Sequence, residues 1–181
     1  MKKLIMIFLG GFVWASCNDG GTAATTTETD SAATTTETVA QKMNYPYTID
    51  HPDYWETGST ENTMNVLSAL KAFENGNVDE SVKYFADSVR IQFDGLDKKL
   101  SNDSLRAMFD QSRKSMKTMS ITMQDWESVV SKDKKVEYVT MWYRERWEDT
   151  KGKTDSVDVV NDVKMKDGKM IELTQYERKL N

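Results

Sequence analysis

Four consecutive segments in the second half of the chain alternate apolar and polar residues, and this pattern constrains the fold most. The segments cover residues 118–130, 135–148, 155–166 and 169–178. Alternation with a period of two is typical of strands that bury one face. The breaks between the segments are too short for a crossover connection, so consecutive strands must pair antiparallel. The sequence therefore predicts a four-stranded antiparallel meander.

The region before the meander has helical spacing, interrupted by one strand. Apolar residues recur at helical intervals over residues 61–75, and Ser59 or Thr60 can cap that helix. Asn77 and Glu80 have the spacing of a capping box and predict a second, short helix. A strand at residues 89–93 and a third helix, capped by Ser101 or Asn102, complete the order α-α-β-α-β-β-β-β. This order predicts an α+β fold with about three helices on one face of a curved antiparallel sheet.

The predicted order resembles that of the nuclear transport factor 2-like superfamily, and within it that of the SnoaL-like domains. The resemblance covers about residues 58–180 and depends on the element order, the Asn75-Gly76-Asn77 junction between helices and the closing strand pair around residues 166–171. It implies a cone-shaped sheet that usually encloses a pocket. Members of the superfamily include isomerases, dehydratases, polyketide cyclases, binding modules and lipoproteins, so the fold alone does not choose a function.

The first 16 residues are predicted to be a signal peptide. Lys2 and Lys3 precede an apolar run at residues 4–14, which is shorter than the ~20 residues that a membrane span needs. Small residues then lead directly to Cys17, an arrangement that resembles the lipobox of bacterial lipoproteins but has Trp14 where leucine is usual. The resemblance implies cleavage before Cys17, lipidation of Cys17 and attachment to a membrane of the cell envelope, at its periplasmic face or the cell surface.

Three further segments follow the signal peptide. Residues 17–41 are rich in Thr and lack apolar periodicity, which predicts a disordered tether. Within this tether, Ser31 lies in a tripeptide that resembles the O-glycosylation acceptor of Bacteroidota, and it is a candidate glycosylation site. Residues 42–57 hold both prolines and predict an extended arm, and residues 58–181 are predicted to form the α+β domain.

Composition excludes several kinds of chemistry. Residues 58–181 contain neither His nor Cys, which removes the most frequent general base, the thiol nucleophile and the preferred zinc ligands. The net charge of −5 disfavours binding to nucleic acid. No known catalytic motif is present, so catalytic residues stay unassigned, and the sequence predicts no metal site and no cofactor.

The candidate pocket consists of polar residues that alternate with the outward-facing residues of their strands and therefore lie on the same face as the apolar residues. They are Asp125, Tyr143, Glu145 and Asn161. A polar group on a buried face needs a partner, so such a cluster is typical of a ligand site. The alternative is that these residues lie at strand ends or satisfy one another. A β-bulge would also exchange the two faces of a strand.

The opposite face of the strand at residues 135–148 carries a candidate interface. It consists of Tyr138, Trp142, Arg144 and Arg146. Aromatic residues and Arg are enriched at interfaces, and relatives often dimerise through this face. The sequence thus favours a lipid-anchored protein that binds a small apolar ligand or a protein partner without turnover. The alternatives are an isomerase or dehydratase that uses a pocket carboxylate with Tyr143, and a module for dimerisation or assembly.

Overall fold

The computed structural model describes residues 45–48 and 54–180. The signal peptide, Cys17, the Thr-rich tether with Ser31 and half of the predicted arm lie outside the described residues. Within residues 54–180, three helices and seven strands follow one another in the order below. They are β1 (Trp55–Thr57), α1 (Thr60–Glu74), α2 (Val78–Val82), β2 (Phe85–Phe93), β3 (Leu96–Ser101), α3 (Asn102–Lys114), β4 (Met116–Ser131), β5 (Glu137–Asp149), β6 (Thr154–Lys166) and β7 (Lys169–Lys179).

The strands form one curved sheet in the order β1-β4-β5-β6-β7-β2-β3. The predicted meander is confirmed, because β4 to β7 pair antiparallel with their neighbours in sequence. The prediction of a wholly antiparallel sheet is wrong at one position, since β2 pairs parallel with β7. A parallel pair requires a crossover, and here β3, α3 and the strands β4 to β6 connect the two strands. The α+β class is confirmed.

Two edge strands were not predicted. β1 has three exposed residues and pairs with β4, and β3 is mostly exposed and pairs with β2. Neither strand buries one face, so neither produces the alternation that identifies a strand in the sequence. The edge strand β3 carries charged side chains, and Arg90 on β2 forms a two-pronged ion pair with Asp97 on β3. Charged edges of this kind also discourage pairing with other chains.

The helix starts follow the predicted capping at two of three places. Ser59 caps α1 by accepting a hydrogen bond from the Asn62 N–H at 3.2 Å, and Ser101 caps α3 in the same way. The capping box predicted for α2 does not form, because the Asn77 side chain makes no capping bond. The carbonyl oxygen of Asn77 accepts from the Glu80 N–H instead, and the Glu80 carboxylate pairs with Lys83.

The core lies between the three helices and the inner face of the sheet. The central strands contribute branched and sulfur-containing side chains that are almost fully buried, among them Val139, Met141 and Val159. Helix α3 buries a single residue completely, Leu105. The other apolar residues of α3 are not completely buried, so they can line a cavity.

Candidate functional site

A cavity of about 340 Å³ lies between the helices and the inner sheet face. Its walls are mainly apolar, and three phenylalanine rings from α1, β2 and α3 meet edge to face. Phe109 lies with its ring centre 5.2 Å from that of Phe73 and 5.7 Å from that of Phe85. Such contacts stabilise aromatic clusters beyond simple burial. The cavity is therefore supported by a rigid aromatic wall on its helical side.

A tyrosine and an asparagine form the buried polar group of the cavity. Tyr143 on β5 and Asn161 on β6 are 2% and 4% exposed, and both line the cavity. The Asn161 Nδ2 donates to the Tyr143 hydroxyl at 3.0 Å, whereas the Asn161 Oδ1 is buried with no hydrogen-bond partner. Burial raises the pKa of Tyr143 far above its ordinary value, so the hydroxyl stays neutral and keeps its proton. The cavity thus offers one free donor and one free acceptor side by side.

Glu145 adds a carboxyl group with altered acidity to the same cavity. It follows Tyr143 by two residues on β5, so both side chains share the inner face. Burial, together with the negative charge of Glu177, raises the pKa of Glu145 to about 7. A carboxyl group with this pKa can accept or donate a proton near neutral pH.

Asp125 does not belong to the cavity, which corrects its place in the predicted pocket. β4 contains a bulge between Met123 and Asp125, so Met123 lies opposite Tyr143 but Asp125 lies opposite Trp142. The bulge moves every later residue of β4 to the other face. The carboxylate of Asp125 is exposed and accepts a hydrogen bond from the Trp126 N–H. The structure brings together Tyr143, Glu145 and Asn161 only.

The sequence did not predict four polar residues of the cavity, which are Ser81, Ser112, Gln175 and Glu177. Gln175 and Glu177 on β7 line it, and the Gln175 Nε2 donates to a Glu177 carboxylate oxygen at 2.6 Å. Both lie an even number of residues after the buried Leu173, so their side chains lie on the same face of β7 as that of Leu173. Extending the face assignment to β7 would have identified them.

The four residues of the candidate interface all lie on the outer sheet face, but three already have partners there. Arg144 forms an ion pair with Asp158, and the Nη1 of Arg146 donates to the Thr122 hydroxyl at 3.1 Å. The ring of Tyr138 packs against Trp55. Trp142 is half-buried and forms a cross-strand row with Val160 and Tyr176, the last of which is 63% exposed.

Residues 45–48 and 54–180 contain neither a metal-binding cluster of side chains nor a helix that could span a membrane. No three His, Cys, Asp or Glu side chains lie close enough together to hold a metal ion. None of the helices in this part of the chain is long and apolar enough to cross a bilayer.

Comparison with known proteins identifies the fold. No family model matches the chain, and no curated protein matches it. Among solved structures, an NTF2-like protein of unknown function from Burkholderia pseudomallei K96243 is 14% identical, with a TM-score of 0.55 over 66% of this chain and 92% of that one. An NTF2-like protein of unknown function from Exiguobacterium sp. 255-15 is 12% identical, with a TM-score of 0.52 over 64% of this chain and 99% of that one.

An enzyme also appears among these structures. An LEH-like epoxide hydrolase from Mycobacterium tuberculosis is 12% identical, with a TM-score of 0.54 over 70% of this chain and 86% of that one. Identities this low show the fold and not the activity. The chain therefore has an α+β cone of the NTF2-like fold, as the resemblance implied.

Proposed function

We propose that the domain binds a small, largely apolar molecule with one polar head group, without chemical turnover. The observation that carries the proposal is the buried Oδ1 of Asn161, which has no partner within the described residues. An unsatisfied buried acceptor costs ~1–3 kcal/mol, so native proteins rarely keep one without a role. A ligand hydroxyl that donates to Asn161 and accepts from Tyr143 would satisfy both groups together.

The size and walls of the cavity support the same proposal. Its volume of about 340 Å³ lies at the lower end of the range typical of small-molecule sites. The apolar walls would bury the body of a ligand, and the polar pair would orient its head group. A molecule of this kind gains most of its affinity from burial and its specificity from the two hydrogen bonds.

Native mass spectrometry of the full chain, kept soluble by Cys17→Ser, tests the proposal. We expect a non-covalent adduct that dissociates on collisional activation. Ala69 lines the cavity and is buried, so Ala69→Phe should fill the space and abolish the adduct. Ala107 is exposed on α3, and Ala107→Phe is the matched control that should retain the adduct. The same adduct in Ala69→Phe, or no adduct together with no uptake of added octanol, would contradict the proposal.

We also propose that two copies of the chain pair through the outer sheet face. Trp142, Val160 and Tyr176 form an apolar row across three strands of this face. Charges of both signs surround the row, including Arg178 and Asp162, so two antiparallel copies could place opposite charges against one another. The same native mass spectra report the oligomeric state, and a monomer at micromolar concentration would contradict this assembly.

A second candidate function is proton-transfer catalysis of the isomerase or dehydratase type. The observation that favours it is Glu145, whose pKa of about 7 suits a general base, beside the neutral hydroxyl of Tyr143. Glu145 would remove the proton next to a carbonyl group while Tyr143 donates a hydrogen bond to the carbonyl oxygen. Glu145 would then return the proton to the same carbon or, when a double bond is conjugated with the enolate, to the γ-carbon, and the carbonyl group would re-form.

Deuterium exchange separates catalysis from binding. If Glu145 acts as a base, the protein should accelerate the exchange of the α-protons of cyclohexanone in D₂O, followed by NMR. The loss of Glu145 in Glu145→Gln should remove the acceleration, whereas Glu148→Gln, outside the cavity on the same strand, should retain it. An exchange rate equal to that in buffer would leave binding without turnover as the function.

We further propose that the mature protein is lipid-anchored to a membrane of the bacterial cell envelope. The support is the sequence around Cys17, which resembles a lipobox after a positively charged and apolar leader. Two or more acyl chains give stable membrane attachment, whereas one gives marginal attachment. The anchor would hold the binding domain at the membrane surface.

A further inference from the structure

The charge of the cavity restricts the head group of its ligand. Among the described residues that line the cavity, two are carboxylic acids, Glu145 and Glu177, and none is Lys, Arg or His. The unpartnered Oδ1 of Asn161 adds a further electronegative atom. The oxygen atoms of these three side chains therefore favour a ligand head group that is positively charged or donates a hydrogen bond.

Neither carboxylate of the cavity is neutralised within the described part of the chain. The ion pairs there involve other residues, including Glu74, Glu148 and Glu172. Lys179 follows Glu177 by two residues on β7 and lies opposite Val157, but it is exposed and forms no ion pair with Glu145 or Glu177. On β4 the residue opposite Glu145 is Ile121, which carries no charge.

Glu177 lies close enough to affect the acidity of Glu145, although the Glu177 side chain itself is exposed. Burial is the larger cause of its raised pKa, and the charge of Glu177 is the second. A group in this state gains from any cation that enters the cavity, because the cation replaces lost solvation and offsets the repulsion. An anion would face both carboxylates and would leave the Asn161 Oδ1 without a donor.

The aromatic walls favour the same charge. Phe73, Phe85, Phe109 and Trp147 line the cavity together with Tyr143. The faces of aromatic rings attract cations, and the attraction is larger where water is excluded. The apolar body of a ligand and its cationic head could therefore both be accommodated.

We propose that the cavity selects apolar molecules with a protonated amine head group and rejects carboxylates and phosphates. This selectivity rests on the proposed function, since it assigns the chemical class of the ligand to the same site. The ammonium group pairs with Glu145, on the same strand face as Tyr143. The alkyl or aryl body lies against the phenylalanine wall.

Three probes of equal chain length test the selectivity. Octylamine, octanol and octanoate are titrated into the full chain, kept soluble by Cys17→Ser, at low ionic strength and pH 8. We expect octylamine to bind roughly tenfold more tightly than octanol, the gain typical of a hydrogen bond to a charged group, and octanoate to bind most weakly. Glu145→Gln should remove the difference between octylamine and octanol. Glu148→Gln, outside the cavity, is the matched control.

The affinity for octylamine should also depend on pH. It should rise between about pH 6 and pH 8, because Glu145 loses its proton through its pKa of about 7. It should fall again above about pH 10.4, where an alkylamine like that of lysine loses its charge. The affinity for octanol should not follow this profile. Tyr143 stays neutral throughout, since its pKa is raised, so it does not contribute to the profile.

The outcomes separate the selectivity from the binding itself. Equal affinities for all three probes, or tightest binding of octanoate, would overturn the selectivity and leave the binding function standing. A preference for octylamine that persists in the double variant Glu145→Gln/Glu177→Gln would also overturn it. No binding of any probe would contradict the proposed function.

Discussion

The double variant Tyr143→Phe/Asn161→Leu is expected to remain folded while its affinity for octanol falls roughly tenfold. The free energy of unfolding should stay within about 1 kcal/mol of that of the wild type or rise above it. The two residues form one buried hydrogen bond, and the Asn161 Oδ1 has no partner. Replacing both partners with apolar groups of similar shape removes this unsatisfied acceptor together with the bond.

The single variants should behave differently from the double variant. Asn161→Leu alone leaves the Tyr143 hydroxyl buried without its donor, which should cost about 1–3 kcal/mol of unfolding free energy. Tyr143→Phe alone leaves the whole Asn161 amide unsatisfied and should cost a similar amount. The double-mutant cycle therefore gives a coupling between the two sites, as expected for residues in contact.

Urea unfolding and octanol titration of the four proteins measure these effects. The expected pattern is two destabilised single variants and one stable double variant that binds poorly. A double variant about 3 kcal/mol less stable than the wild type would show that the pair supports the fold rather than a ligand. An unchanged affinity for octanol in the folded double variant would place the head group elsewhere in the cavity.

Cys17→Ser is expected to transfer the protein from the membrane fraction to the soluble fraction. Serine cannot carry the thioether-linked lipid on which stable attachment depends. In a bacterial host, immunoblots of fractionated cells should show wild-type protein with the membranes and the variant, once its leader is cleaved at another position, in the soluble fraction. The mass of the wild-type protein should exceed that of the chain from residue 17 by the mass of the lipid.

A neighbouring substitution controls for effects of the change itself. Asn18→Ser keeps the cysteine and should leave the protein in the membrane fraction. Cys17→Ser protein that sediments with membranes as fully as the wild type would contradict the lipid anchor. Extraction with high salt would then distinguish a peripheral charge interaction from an inserted leader.

The alternating segments determined much of the fold in advance. Each strand of the meander buries one face, so apolar and polar residues alternate along its sequence. The turns between these strands are short, so neighbouring strands can pair only antiparallel. The positions of α1 and α3 could be predicted for the same kind of reason, because Ser59 and Ser101 act locally on the next turn of chain. The edge strands could not be predicted, since β1 and β3 bury too little for a pattern to form.

The sheet faces of the candidate residues were predicted correctly where the strands are regular and wrongly where a bulge interrupts them. Tyr143, Glu145 and Asn161 lie on the inner face that their parity indicated. Asp125 failed because one extra residue in β4 changes the parity, and nothing local in the sequence marks that bulge. The prediction that the Asn77 side chain caps α2 was wrong, because the backbone carbonyl of Asn77 already accepts hydrogen bonds from the first turn of that helix.

The sequence by itself determined the periodicity, the caps of α1 and α3, the absence of His and Cys from residues 58–181 and the lipobox-like segment before Cys17. These properties depend on neighbours along the chain. Only the tertiary structure decided that β2 lies parallel to β7, that a cavity remains open under α3, and that Glu145 and Glu177 share it. These properties depend on which distant residues meet and exclude water. The acidity of Glu145 is the clearest case, because burial and a carboxylate 32 positions away set it.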